Sequence, residues 1–221
     1  MDLEPLVRTI AIYALPVLFA ITLHEAAHGY VARHFGDMTA YAQGRISLNP
    51  ARHVDLVGTI LVPIAILVLS KLAGGAGLLF GWAKPVPVNY SALRRPRQNM
   101  LWVAAAGPAA NLVMAFGWAA LFKVADLVPL NYFTEPLMLT CQAGMEVNII
   151  LMLLNLLPIL PLDGGRIVAS LLPSRMAWGY AKLEPWGFPI LLLLMFTSGL
   201  GVILAPMVSF SFRVLGTVFQ I

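Results

Sequence analysis

Five long apolar stretches alternate with shorter polar ones along the chain: Leu6 to Tyr30, Val57 to Phe80, Met100 to Val124, Leu137 to Leu157 and Phe188 to Phe210. Each has the roughly 20 residues a helix needs to cross a hydrocarbon core, so each is long enough to be a membrane-spanning helix. The polar stretches between them are too short and too scattered for a separate soluble domain. Gly44-Arg45-Ile46-Ser47-Leu48-Asn49-Pro50 reads as a short strand closed by a turn. Lys84-Pro85-Val86-Pro87-Val88-Asn89 has prolines at alternate positions, which exclude helix and predict an extended loop or an edge strand. The expected fold is an all-α polytopic membrane protein, a helical bundle with a few short strands in its polar connections.

Composition agrees with lipid as the main solvent. Hydrophobic residues make up 60% of the 221 and charged residues 11%, with a mean hydropathy of +0.84. A pI near 9.5 is no nucleic-acid signal, because the basic residues are dispersed among the apolar runs and form no stripe. They read instead as topology signals. Gly81 to Gln98 carries Lys84, Arg94, Arg95 and Arg97, and Pro158 to Gly187 carries Arg166, Arg175 and Lys182, whereas Asp126 to Pro136 has acids and no Lys or Arg. The positive-inside rule places the first two connections in the cytoplasm and the third outside. The first apolar run begins with Asp2 and Glu4 and lacks a small-residue cleavage site, so it reads as a retained helix and not a signal peptide. With Cys141 the single cysteine, no intrachain disulfide can form.

Chemistry enters at the end of the first run. His24-Glu25-Ala26-Ala27-His28 is an H-E-x-x-H sequence, whose i, i+4 spacing puts both imidazoles on one helical face where they can hold one zinc ion. Glu25 is then placed to take a proton from water. Three polar residues at the end of an apolar helix are costly in lipid and mark a functional position. A catalytic zinc site typically has three protein ligands. The candidate for the third is Asp163, in the segment Asn155-Leu156-Leu157-Pro158-Ile159-Leu160-Pro161-Leu162-Asp163-Gly164-Gly165-Arg166. Read alone, Asp-Gly-Gly after proline is a turn; paired with H-E-x-x-H in a membrane chain, it delivers a carboxylate.

These two segments, together with Leu48-Asn49-Pro50 followed by His53 and Asp55, Gly81-Trp82-Ala83-Lys84-Pro85-Val86-Pro87-Val88-Asn89 and Ala106-Gly107-Pro108-Ala109-Ala110-Asn111, resemble the site-2 protease family of intramembrane zinc metalloproteases. The resemblance covers nearly the whole chain and is to the compact form, without an added PDZ or CBS domain. It implies one integral-membrane metalloprotease domain over 1–221, one Zn2+ held by His24, His28 and Asp163, Glu25 as catalytic base, and Asn155 close to the active site. The implied partners are the lipid bilayer and a transmembrane protein substrate, cut within or at the edge of the membrane. Compactness points to a multi-pass protein of a prokaryotic plasma membrane.

Other residues admit two readings each. Asn111 and Asn155 are amides in apolar helices, able to donate to an oxyanion or to hydrogen-bond between helices. In the 84–89 segment, Lys84, Val86 and Val88 can contact a substrate strand by edge pairing, or the prolines simply shape a loop. Gln142, Glu146 and Asn148 give one apolar helix a polar face, for packing or for function. His34 and His53 read as solvated loop histidines ahead of metal-support roles. A catalytically lapsed binding protein of the same fold and a metal transporter are the rival functions; the first predicts a degraded motif and the second predicts ionisable residues stacked through the bilayer.

Geometry adds a constraint on topology. For His24, His28 and Asp163 to meet, the helices that end beside them must run in the same direction. One crossing by Val57 to Phe80 would make them antiparallel, so that run is expected to be a re-entrant or hairpin excursion, with Lys71, Gly74, Gly75 and Gly77 supplying the break.

Overall fold

The computed structural model describes residues 3–53, 55–62, 65, 84–129 and 131–221. Its helices are α1 (Leu3–His34), the single turn α2 (Thr39–Ala42), α3 (Pro96–Asp126), α4 (Thr134–Asn155), α5 (Asp163–Leu171), α6 (Ser174–Ala181), α7 (Glu184–Phe196) and α8 (Gly199–Phe219). Among the described residues, α1, α3, α4 and α8 are long and apolar enough to cross a membrane. Their outward faces carry exposed Val, Leu, Ile and Phe, such as Val7, Leu18, Val113 and Val202, as expected where the surrounding solvent is lipid.

α1, α3 and α4 form the central bundle, with α5 against α3. Two alignments fix its directions. α3 runs against α1, because His28 pairs with Val103 while His24, further from the end of α1, pairs with Asn111. α4 runs with α1. Two contacts climb the seam between them in register, Arg8 to Glu135 at 3.9 Å and Tyr13 Oη donating to Glu146 Oε2 at 2.8 Å, and beyond the end of α4 His24 and His28 meet Asp163, each at 3.3 Å. The parallel arrangement required by the histidine–aspartate meeting is therefore present.

The return from α1 to α3 begins and ends on one side. Gly36 reverses the chain at φ +107°, a left-handed conformation that suits glycine. Arg94 N then donates to Phe35 O at 2.9 Å, so the end of α1 touches the approach to α3. Buried Asp37 ties the same join, accepting from Thr39 N at 2.9 Å and from Asn89 N at 2.6 Å. Lys84 N donates to His53 O at 2.8 Å, so the two flanks of the Val57 to Phe80 run meet. Of that run only a π-helical turn, Leu56–Leu61, and residues 62 and 65 are described; the re-entrant or hairpin expectation otherwise lies outside the described residues.

Three local expectations are corrected. Among the described residues there is no strand: Gly44 to Pro50 is turn and bend, and 84–89 is extended but pairs with side chains and isolated carbonyls where a ladder would need a second strand. The Phe188 to Phe210 run is broken at Ser198, φ 58°, into α7, too short to cross alone, and α8, which continues to Phe219. His53 is also no solvated loop histidine, being 2% exposed with Nε2 2.8 Å from Ser47 O.

Candidate active site

The end of α1 supplies two of the donors. His24 and His28 are one turn apart, and their Nε2 atoms lie 3.1 Å from each other. Each Nδ1 is committed on its far side. His28 Nδ1 lies 2.7 Å from Val103 O, a carbonyl that can only accept, so Nδ1 carries the proton. His24 Nδ1 lies 2.6 Å from Asn111 Oδ1. Asn111 Nδ2 donates both to Ala20 O at 3.3 Å and to Asn148 Oδ1 at 2.9 Å, which fixes the amide orientation and makes His24 Nδ1 the donor as well. Both Nε2 lone pairs are therefore turned toward the same point.

Asp163 supplies the third. It is the first residue of α5, and its Oδ2 sits 3.3 Å from each Nε2. That oxygen is buried and has no hydrogen-bond donor. Two neutral lone pairs and one carboxylate oxygen converging in this way make a cation site. Zinc bound tetrahedrally at about 2.0–2.1 Å has ligand-to-ligand edges of about 3.3 Å, close to the 3.1 and 3.3 Å separations here. Gly107 of α3 keeps the space open, since a Cβ there would press on Nε2 of both histidines, 2.6 Å from that of His24.

The position of α5 is fixed from its far end. Arg97, at the start of α3, donates to the carbonyls of Ser170, Leu171 and Leu172, capping α5 at its C-terminus. Gly164 and Gly165 are buried against the backbone of Leu156–Leu157 and Ile159–Leu160. The helix is thereby held between two fixed ends with Asp163 at the inner one.

Glu25 points into a cavity of about 970 Å³ lined by α1, α3, the end of α4, the start of α5, α7 and the 85–88 segment. Its walls are mostly apolar, with Met100, Leu151, Leu154, Leu191 and Met195 among them. Val86 N donates to Glu25 Oε2 at 2.7 Å. Pro85 and Pro87 have no N–H to give, so Val86 supplies the donor of this tripeptide. Asn155 also lines the cavity, with Nδ2 donating to Leu151 O at 3.0 Å and a second N–H left over.

The residues singled out in the sequence thus fall into three positions. His24, Glu25, His28, Asp163, Asn155, Val86 and Val88 meet at one cavity. Asn111 lies behind His24, its amide donors occupied, and takes the interhelical alternative. Lys84 stands outside the lining, its carbonyl accepting from Arg45 at 2.9 Å. Sequence reading missed Asn148 as the support of Asn111 and Arg97 as the support of α5; an asparagine in an apolar helix was the visible signal for the first, and nothing local marked the second.

A family model for peptidase family M50 matches residues 131–197, a stretch that includes Asp163. The protein of Bacillus subtilis named "Putative zinc metalloprotease YwhC" is 37% identical over 198 residues, covering 88% of this chain and 84% of the relative. This chain belongs to peptidase family M50, the site-2 protease family. It is a zinc metalloendopeptidase and a multi-pass membrane protein. The protein of Mycolicibacterium smegmatis named "Putative zinc metalloprotease Rip2" is 28% identical over 187 residues (83% of this chain, 66% of the relative). Zinc metalloprotease MJ0392 of Methanocaldococcus jannaschii is 24% identical over 172 residues (78% of this chain, 37% of the relative). No solved structure matches the chain.

Proposed function

We propose that this M50 peptidase is an intramembrane endopeptidase of a prokaryotic plasma membrane, cutting transmembrane or membrane-proximal segments, with zinc on His24, His28 and Asp163 and Glu25 as its base. The observation that carries the reading is the convergence of three buried donor atoms, 3.1 and 3.3 Å apart, in an apolar cavity walled by membrane-length helices. The whole of 1–221 acts as one domain in this reading, because the donors come from α1 and α5 and the cavity they share is also walled by α3, α4 and α7.

When bound, zinc supplies Lewis acidity to a peptide carbonyl and lowers the pKa of water toward about 7. The chain's own groups do the rest. Glu25 accepts the proton of the attacking water and returns it to the departing amine, as a general base and then a general acid. Val86 N–H fixes the Oε2 of Glu25, leaving Oε1 to exchange the proton. The second N–H of Asn155 is available to the oxygen of the attacked carbonyl. Asn111 and Val103 hold the two imidazoles in the tautomer whose Nε2 is free for metal.

A transmembrane helix hides its peptide bonds, so a segment must unwind before it can be cut. The 85–88 strip along the cavity offers backbone carbonyls to an opened segment, and Val86 and Val88 are the residues that contact it. The test is cleavage of a membrane-embedded reporter by purified, zinc-loaded protein in proteoliposomes. Wild type should cut it, and Glu25→Gln should retain zinc and cut it at least 1,000-fold more slowly; equal cleavage by the two proteins would remove Glu25 from the mechanism.

A further inference from the structure

Arg166 is the cation of the catalytic cavity among the described residues, and none of their carboxylates pairs with its charge. It lines the same space as His24, Glu25 and Asp163. Among the described residues its side chain makes one hydrogen bond, a long one from Nε to Pro161 O at 3.4 Å, and no ion pair, even with Asp163 three residues before it on the same helix. Four other arginines are engaged: Arg97 caps α5, Arg45 holds the carbonyls of Lys84 and Pro85, Arg52 donates to Gly44 O, and Arg8 faces Glu135. Helix stability does not account for Arg166 either, since a cation near a helix N-terminus opposes the dipole.

Charge and direction then define what it can recognise. Zinc at 2+ balances Glu25 and Asp163, leaving Arg166 as the unopposed charge of the loaded cavity. α5 lies antiparallel to α3, with Asp163 beside the histidines and Ser170 to Leu172 at Arg97 on the outer end of α3. Arg166 is thus about one helical turn, some 5 Å, nearer the membrane surface than the metal donors. Adding the reach of an arginine side chain, an extended peptide at about 3.3 Å per residue meets it roughly one to four residues from the scissile bond.

We infer that Arg166 is a specificity residue that selects substrates bearing an aspartate or glutamate within about four residues of the cut, on the half that leads to the membrane face at which α5 ends. This rests on the proposed intramembrane endopeptidase reading. A carboxylate fits because a guanidinium binds it through two parallel hydrogen bonds, while a neutral side chain leaves the charge unpaired.

The experiment uses full-length, zinc-loaded protein in proteoliposomes and reporters identical except for a single Asp, Asn or Lys placed in turn at the four positions on either side of the cut. Wild type should cut the best Asp reporter about fivefold faster than its Lys counterpart in kcat/KM, the upper end for a partly solvated ion pair. Arg166→Glu should reverse that order and Arg166→Gln should abolish it, with zinc content near wild type. Equal cutting of Asp and Lys reporters by wild type, or an unchanged Asp preference in both variants, overturns the role of Arg166 while leaving the protease reading intact. Failure of wild type to cut any reporter removes both. If Arg166→Glu loses zinc, Arg166→Gln decides alone.

Discussion

Glu25 Oε2 accepts the backbone N–H of Val86 at 2.7 Å, and the residues flanking that donor are both prolines. The carboxylate proposed as the base is thus oriented by a main-chain group, which few side-chain substitutions can remove. Val86→Pro can: it deletes the N–H and suits the extended backbone that Pro85 and Pro87 already impose. The expected outcome is a kcat about tenfold lower with zinc content unchanged, since one hydrogen bond to a charged group is worth about 1.5 kcal/mol or more. Steady-state kinetics alongside metal analysis checks it.

Asn111 connects His24 to Asn148 across three helices. Asn111→Ala leaves His24 Nδ1 and Asn148 Oδ1 buried without these partners, an expected loss of about 2–4 kcal/mol in stability. Zinc affinity should fall by about 10–100-fold, as is usual when the partner of a metal-binding histidine is removed. Competition with a chelator of known affinity measures the second effect, and thermal unfolding in detergent the first.

Gly107→Ala places a methyl group against Nε2 of both histidines. Zinc per chain should fall well below one, because α3 cannot retreat without breaking the bonds at Val103 and Asn111. Gly117, on the same helix with nothing near its Cβ direction, is the control: Gly117→Ala should bind zinc as wild type does.

Arg97→Ala frees the carbonyls at the end of α5. Asp163 at the other end should then be less well fixed, weakening zinc binding by several-fold without touching a donor. Arg97→Lys should restore part of it, because an ammonium can still reach one carbonyl but not three.

The meeting of Lys84 N with His53 O makes a topological prediction. In a Cys141→Ala background, cysteines at positions 52 and 84 should both react with a membrane-impermeant maleimide added from the same side. Labelling from opposite sides would contradict the join.

The core of the site was legible in the sequence because its signals were local or periodic. H-E-x-x-H depends only on helical spacing, and Asp163 stood out as a carboxylate delivered by a proline-rich break in an apolar run. Their meeting also implied parallel α1 and α4, now seen in the two contacts along that seam, Arg8 to Glu135 and Tyr13 to Glu146. What was not legible depends on tertiary partners. Hydropathy passes over Ser198 because both flanks are apolar, so α7 and α8 looked continuous. Alternating prolines indicate an extended backbone but not what it pairs with, and at Val86 the partner is Glu25 in place of a neighbouring strand. Asn111 offered two roles until its donors were found occupied.

The donor set is also divided along the chain. His24 and His28 belong to the first membrane helix, whereas Asp163 follows the last helix of the central bundle, 135 positions after His28 (163 − 28). A chain still entering the membrane carries two imidazoles that cannot hold zinc as a catalytic centre until α3 and α4 are in place and parallel packing is achieved. On the proposed ligand set, binding of the metal joins the two halves. Hydrolytic activity is in this sense timed by biogenesis: the proposed site is complete only once the carboxylate that follows α4 has reached the two imidazoles of α1.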